Sequence, residues 1–333
     1  MPNVQPGNII EVKYEITSPF IFQFREWKFQ SDIPKLLSIY KTSIPGNYRY
    51  NIVLKGYLTL DIEDKEVIKD CFGRGMVKKS ECGVNYWGMK NVPAFKEEEF
   101  MLAPSNFISA LVFELSEVFH FNGAVNKYTK TWESVDGELK SSSKFGKQLK
   151  RGKEVFKSDL DPLLANEKNP LNRAKIIYEF IQGYFKWNGY YNIYSEYGIK
   201  KAYDEKTGNI ADINLSLGAA LDFYGFNVYP VLVSTRRNGR PTELHPVLSQ
   251  FNYIVCYLNI DGKTYLLDAS DPYLPFGILP IACMNHKGRV MDFDKSFWID
   301  MAPFDELKKN TTMVLKMDTT GVNGTLFLHG RYI

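Results

Sequence analysis

The sequence predicts an α+β protein: an N-terminal antiparallel β-sandwich-like domain, then a domain that mixes helices with strands. Three observations carry this. Residues 8 to about 130 hold short alternating apolar and polar runs without a long helical period. Beyond Asn169, two amphipathic helices appear and three strands follow them. Aromatic residues make up 15% of the chain, with 21 Tyr and 23 Phe, and such rings fill strand faces well. At 333 residues the chain is too long for one typical core, so more than one domain is expected. The boundaries read as a β-sandwich-like domain over 1–130, a helical linker over 131–165, an α+β domain over 166–300, and the start of a further β-domain or C-terminal strands over 301–333.

The elements follow in order. Asn8 to Ile16 alternates as a half-buried strand does, and Trp27 to Phe29, Tyr48 to Tyr57 and Phe107 to Phe121 supply further strand-like runs. Pro34, Pro45-Gly46, Gly56 and Pro93 punctuate them. Lys130 to Val135 opens a helix, and residues 144–164 are charged and weakly periodic, like a linker with short helices. Asn169-Pro170 then starts a helix with Ala174, Ile177, Tyr178, Ile181 and Phe185 on one face. A tyrosine-rich loop leads to a second helix from about Ala211 to Tyr224, closed by Gly225. Strands are expected over 227–234, 251–260 and 263–268, the last two joined by the hairpin dipeptide Asp261-Gly262. Gly324 to His329 reads as a strand with no visible partner, so a fragment of a longer protein is expected.

Composition narrows the function. A net charge of +3 gives no nucleic-acid footprint, and the densest basic stretch, Lys140 to Lys157, is interrupted by Ser, Phe and Gly. No run of apolar residues is long enough to span a membrane, and the N-terminus has neither a basic start nor an apolar stretch. The cysteines Cys71, Cys82, Cys256 and Cys283 match no zinc spacing, and neither a metal nor a cofactor is expected. Cys71 and Cys82 fall in a Gly- and Lys-rich, loop-like stretch, where a disulfide and two free thiols are both open readings. Cys256 lies in an apolar strand and reads as packing.

The second helix and its strands carry the most informative residues. The helix is preceded by Thr207-Gly208-Asn209-Ile210 and followed by Gly225 to Thr235. The next strand begins Phe251-Asn252-Tyr253-Ile254-Val255, and the one after it runs Tyr265-Leu266-Leu267-Asp268. This order resembles the transglutaminase-like (papain-type) superfamily. In that family a cysteine at the helix start, a histidine on the later strand and an aspartate on the last form a thiol catalyst. The helix terminus favours the thiolate, the imidazole moves the proton, and the carboxylate fixes the imidazole. The resemblance puts Ile210 at the cysteine position, Tyr253 at the histidine position and Asp268 at the aspartate position. Isoleucine has no nucleophilic atom, and a phenol with a pKa of about 10 is a poor base near neutrality.

The resemblance extends to Pro2-Asn3-Val4, Gly7 to Glu11, Trp27 to Pro34, Asn91 to Phe95 and Asn188-Gly189. These are similar to bacterial envelope proteins in which a β-domain precedes a transglutaminase-like core. That likeness implies the periplasm or cell envelope and a non-catalytic binding or scaffolding role, with a peptide, protein or glycan as ligand. The rings of Trp187, Tyr190, Tyr191, Tyr194 and Tyr197 are the candidate contact surface. The alternative is a glycan- or peptide-directed hydrolase with an unrecognised site. His245 is the nearest histidine in sequence to the Tyr253 strand.

Overall fold

The computed structural model describes residues 5–18, 24–72, 80–99, 101–128, 131–243, 246–301, 307–318 and 321–332. Two compact units emerge, one of residues 1–96 and 107–129, the other of 97–106 and 130–333.

The first unit is built from β1 (Trp27–Lys28), β2 (Lys35–Pro45), β3 (Tyr48–Lys55), β4 (Ile62–Phe72), β5 (Ser80–Val92), β6 (Ala110–Phe119) and β7 (Val125–Lys127). All pairing in it is antiparallel: β2–β5–β4 form one sheet, and β6 joins β1, β3 and β7 in the other. Both sheets contribute to one apolar cluster, with Trp87, Met89 and Val92 from β5 and Leu111 and Phe113 from β6, around Phe29. The Trp27 and Tyr40 rings stack across it at 5.1 Å, and Trp27 Nε1 donates to Ser38 Oγ.

Two expectations are corrected here. Residues 8–16 form no strand, and each is exposed, because alternation makes a strand only where a partner ladder exists. Cys71 and Cys82 lie on the strands β4 and β5, not in a loop, and form a disulfide with Cα atoms 5.8 Å apart. The register between these strands shifts between Ile68 and Phe72, and Asp70 there has φ +55°, a bulge that turns Cys71 toward Cys82.

The second unit contains α1 (Trp132–Ser141), α2 (Gly146–Gly152), α3 (Lys157–Leu164), α4 (Pro170–Tyr184), β8 (Lys186–Trp187), α5 (Ile199–Glu205), β9 (Thr207–Gly208), α6 (Ile210–Phe223), β10 (Asn227–Val233), β11 (Tyr253–Ile260), β12 (Lys263–Leu267), β13 (Lys287–Val290), β14 (Phe297–Asp300), β15 (Leu307–Asp318) and β16 (Gly321–Tyr332). Five strands make an antiparallel sheet in the order β12-β11-β10-β13-β14, and β15 pairs with β16. The mixture of helices and sheet is the expected α+β class. The hairpin at Asp261-Gly262 has φ +50° and +80°, as a two-residue primed turn requires, and makes β11 and β12 antiparallel neighbours.

Residues 131–165, read from the sequence as a helical linker, bury Val135, Leu139, Phe145, Phe156, Leu160 and Leu164 in the same core as α4 and α6. α6 is buried along nearly its whole length, so it is the central helix of the unit. Its ends are closely specified. Asn209 and Asp212 form a reciprocal capping box at the start. At the end, Gly225 N donates to Asp222 O and Phe226 N to Leu221 O, with Gly225 at φ +84°. Gly208 is required before the cap, since a Cβ there would sit 2.5 Å from Asp212 Cβ.

Candidate functional site

The start of α6 is fixed by two strands of two residues. β8 pairs in parallel with β9, which sets Trp187 beside Gly208, and Asn188 N donates to Gly208 O. The intervening loop folds back over the helix, so the Ile210 amide donates to Tyr190 O at 3.3 Å. The Ile210 side chain is fully buried. It belongs to one apolar cluster with Tyr253, Val231, Val233, Val255, Leu266 and Cys283 on a face of the sheet.

Tyr253 and Asp268 meet directly. The Tyr253 hydroxyl donates to Asp268 Oδ2 at 2.6 Å. The Ser270 hydroxyl lies 3.0 Å from the same phenol oxygen and, since the phenol proton goes to Asp268, serves there as donor. The other carboxylate oxygen accepts from Asn214 Nδ2 and from the Ser270 amide, both at 2.9 Å. Asp268 has no solvent exposure, and these donors make its burial tolerable. Asn214 also donates to Ile254 O and accepts from the Ala269 amide, which ties α6 to both sides of the site. Below it, the Tyr178 hydroxyl lies 2.9 Å from Asp268 O.

Burial, then the Asp268 charge, pushes the Tyr253 phenol far above its ordinary value. The phenol is therefore a fixed proton donor and not a base. Burial and Asp268 also raise the Cys283 thiol. Raised pKa values leave a thiol protonated and weakly nucleophilic. Cys256 is held the same way, its sulfur donating to Asn214 O at 3.1 Å. Among the described residues no three metal-ligating side chains cluster. No helix among them is long and apolar enough to cross a membrane.

The five aromatic residues of the 187–197 loop separate. Trp187 and Tyr191 stack at 5.4 Å and 12°, and Tyr191 meets Tyr253 edge-on at 5.2 Å. Tyr190 is exposed, and its carbonyl accepts from Trp187 Nε1. Tyr194 packs on the main core, while Tyr197 lies by Lys201 in a different hollow lined by Gln148 and Arg151. The loop thus does not present one continuous surface. Tyr191 does line a groove of about 950 Å³ with Glu97, Glu98, Thr235, Arg236, Arg237 and Ile281. Two hydrogen bonds join residues of its lining, Ala103 N to Arg236 O and Arg236 N to Ala282 O. His245 lies outside the described residues.

Sequence reasoning missed Asn214, Ser270 and the Glu97–Pro104 wall. Asn214 left a signal: a lone amide four residues past Ile210 on a largely apolar helix must find tertiary partners once that helix is buried. Ser270 and the wall left none.

No protein-family profile matches the sequence, and no curated protein does. Solved structures do. One is a putative protease from Parabacteroides distasonis ATCC 8503, with TM-score 0.51 and 17% identity over 84% of this chain. The two share a fold. The match covers 48% of that protein, so this chain spans about half its length. A TGase matches with TM-score 0.28 and 9% identity over 49% of this chain and 41% of its own. A putative cysteine protease from Cytophaga hutchinsonii matches with TM-score 0.29 and 12% identity over 74% of each chain. These two overlaps are too loose to carry an argument.

Proposed function

We propose that this chain is a transglutaminase-like protein that has lost its thiol–imidazole pair and serves as a non-catalytic binding or scaffolding module in the bacterial envelope. One observation carries the reading. At the positions that the sequence resemblance equates with the superfamily's cysteine and histidine, Ile210 is sealed in an apolar cluster and the Tyr253 hydroxyl donates its proton to Asp268. The arrangement offers neither an attacking atom nor a group that accepts a proton near neutral pH. The core shared by the two N-terminal sheets supports a β-sandwich-like domain before the transglutaminase-like one. The Cys71–Cys82 bridge favours an oxidising compartment and so an envelope location.

The ligand surface in this reading is the groove beside Tyr191, which has the size and the mixed apolar and polar lining of a binding site. A peptide, protein or glycan is its occupant. Two carboxylate residues, Glu97 and Glu98, line the groove, and that favours the second reading, a glycan- or peptide-directed hydrolase.

Incubation with amide, peptide and oligosaccharide substrates tests both. No turnover is expected. Turnover that persists in Tyr253→Phe and disappears in Glu97→Gln/Glu98→Gln would favour the hydrolase. Turnover abolished by Tyr253→Phe would overturn the non-catalytic reading.

A further inference from the structure

Residues 8–16 are a strand in pattern only. Ile10, Val12, Tyr14 and Ile16 alternate with Glu11, Lys13 and Glu15. Ile9 is 97% exposed, Tyr14 74% and Val12 67%. A segment with this alternation and so much apolar surface in water is complementary to an open sheet edge.

The sheet β2–β5–β4 has two edges, and they differ in chemistry. β4 carries Glu63, Asp64, Lys65, Glu66 and Lys69, the charge that keeps an edge from pairing with other chains. β2 does not. Its run Leu36-Leu37-Ser38-Ile39-Tyr40 has no charge and no proline, and no described strand pairs with its outer side. Leu36 and Leu37 are exposed at 85% and 53%, and Ile39 at 41%. Lys35 and Lys41 flank the run, whereas the 8–16 segment has two acidic residues against one basic. Length agrees as well, with nine residues facing a strand of eleven.

The chain downstream of the segment is tied to side chains of β2. The Tyr40 hydroxyl donates to Arg25 O, and Lys35 Nζ donates to Lys28 O. Residues 25 and 28 of each copy thus lie against its own β2, and the exchange considered is between two such copies. That arrangement closes with twofold symmetry: two copies exchange segments, and both edges are covered at once.

We propose that residues 8–16 of one copy add as a strand to the β2 edge of a second copy, giving a reciprocal strand-exchanged dimer. The backbone ladder holds the segment, and Leu36, Leu37 and Ile39 supply apolar contacts for its side chains.

Light scattering of the full chain and disulfide trapping test this. The expected mass is twice that of the 38.4 kDa chain, falling to one chain in Leu37→Lys/Ile39→Lys and, independently, in Val12→Asp/Tyr14→Asp, whose positions are solvent-exposed and leave the core untouched. Mixing a Val12→Cys chain with Leu36→Cys, Leu37→Cys or Ile39→Cys chains under oxidation is expected to give a two-chain band on a non-reducing gel. A single-chain mass at every concentration for the wild type would overturn the proposal. So would a bridge forming only within one chain when both cysteines are on the same copy, since the segment would then cover its own edge.

Discussion

The Tyr253 hydroxyl and the Asp268 carboxylate are 2.6 Å apart, and both side chains are buried. The phenol is one of three donors that compensate a carboxylate with no access to water. Tyr253→Phe removes that donor and leaves the rest of the ring in place. Chemical denaturation is expected to show a loss of about 1.5–3 kcal/mol, the range for a hydrogen bond to a charged group. Tyr257→Phe is the control, because its hydroxyl meets only the neutral Thr264 hydroxyl in a partly buried setting, and a loss of about 1 kcal/mol or less is expected there.

Alkaline pH should act through the same ring. The folded protein holds the Tyr253 and Tyr178 phenols well above the usual 10.0, by burial first and by the Asp268 charge second. The unfolded chain releases these protons near the usual value. Below about pH 10 their contribution to stability is complete. Above it the unfolded state binds fewer protons than the folded one, so stability falls as pH rises. Unfolding free energy measured from pH 8 to 11.5 is expected to decline, and less steeply in Tyr253→Phe and Tyr178→Phe. Parallel slopes for wild type and variants would refute the assignment.

The Cys71–Cys82 bridge closes a short loop between neighbouring strands. Cys71→Ser/Cys82→Ser is expected to cost about 2–3 kcal/mol in the chain-entropy account. Thermal melts with and without reductant measure it, and the reductant should move the wild type only.

Ile210→Cys with Tyr253→His tests the proposed correspondence of these positions with a thiol–imidazole pair. An imidazolium next to a helix-terminal thiol lowers its pKa. At pH 6 the double variant is expected to react with iodoacetamide about tenfold faster than Ile210→Cys alone, the change for one pKa unit. Equal rates would show that positions 210 and 253 do not face each other productively.

Much of the second unit was legible because local signals agreed there. α4 shows its cap, its proline and its stripe of Ala174, Ile177, Tyr178 and Ile181 in sequence, and the stripe is buried as expected. The Asp261-Gly262 hairpin fixed which strands would be neighbours. α2 and α3 were obscure because each is short and few of its residues face the core, Leu160 and Leu164 among them, so no period accumulates. The 8–16 segment misled for the opposite reason: a clean period says which face is apolar, not whether anything lies against it. The aromatic loop was visible as composition, but which rings turn inward depends on β8 and β9, two strands too short to leave a pattern.

Asp268 is held by α6 through Asn214, by β11 through Tyr253 and by its own turn through Ser270. It works as a rivet between the central helix and the sheet. A carboxylate with that duty is necessary whether or not any chemistry is done beside it. Replacing it with alanine would strand three inward-pointing donors and unfasten the helix. An aspartate at this place in another chain of the same fold is thus by itself no sign of an enzyme.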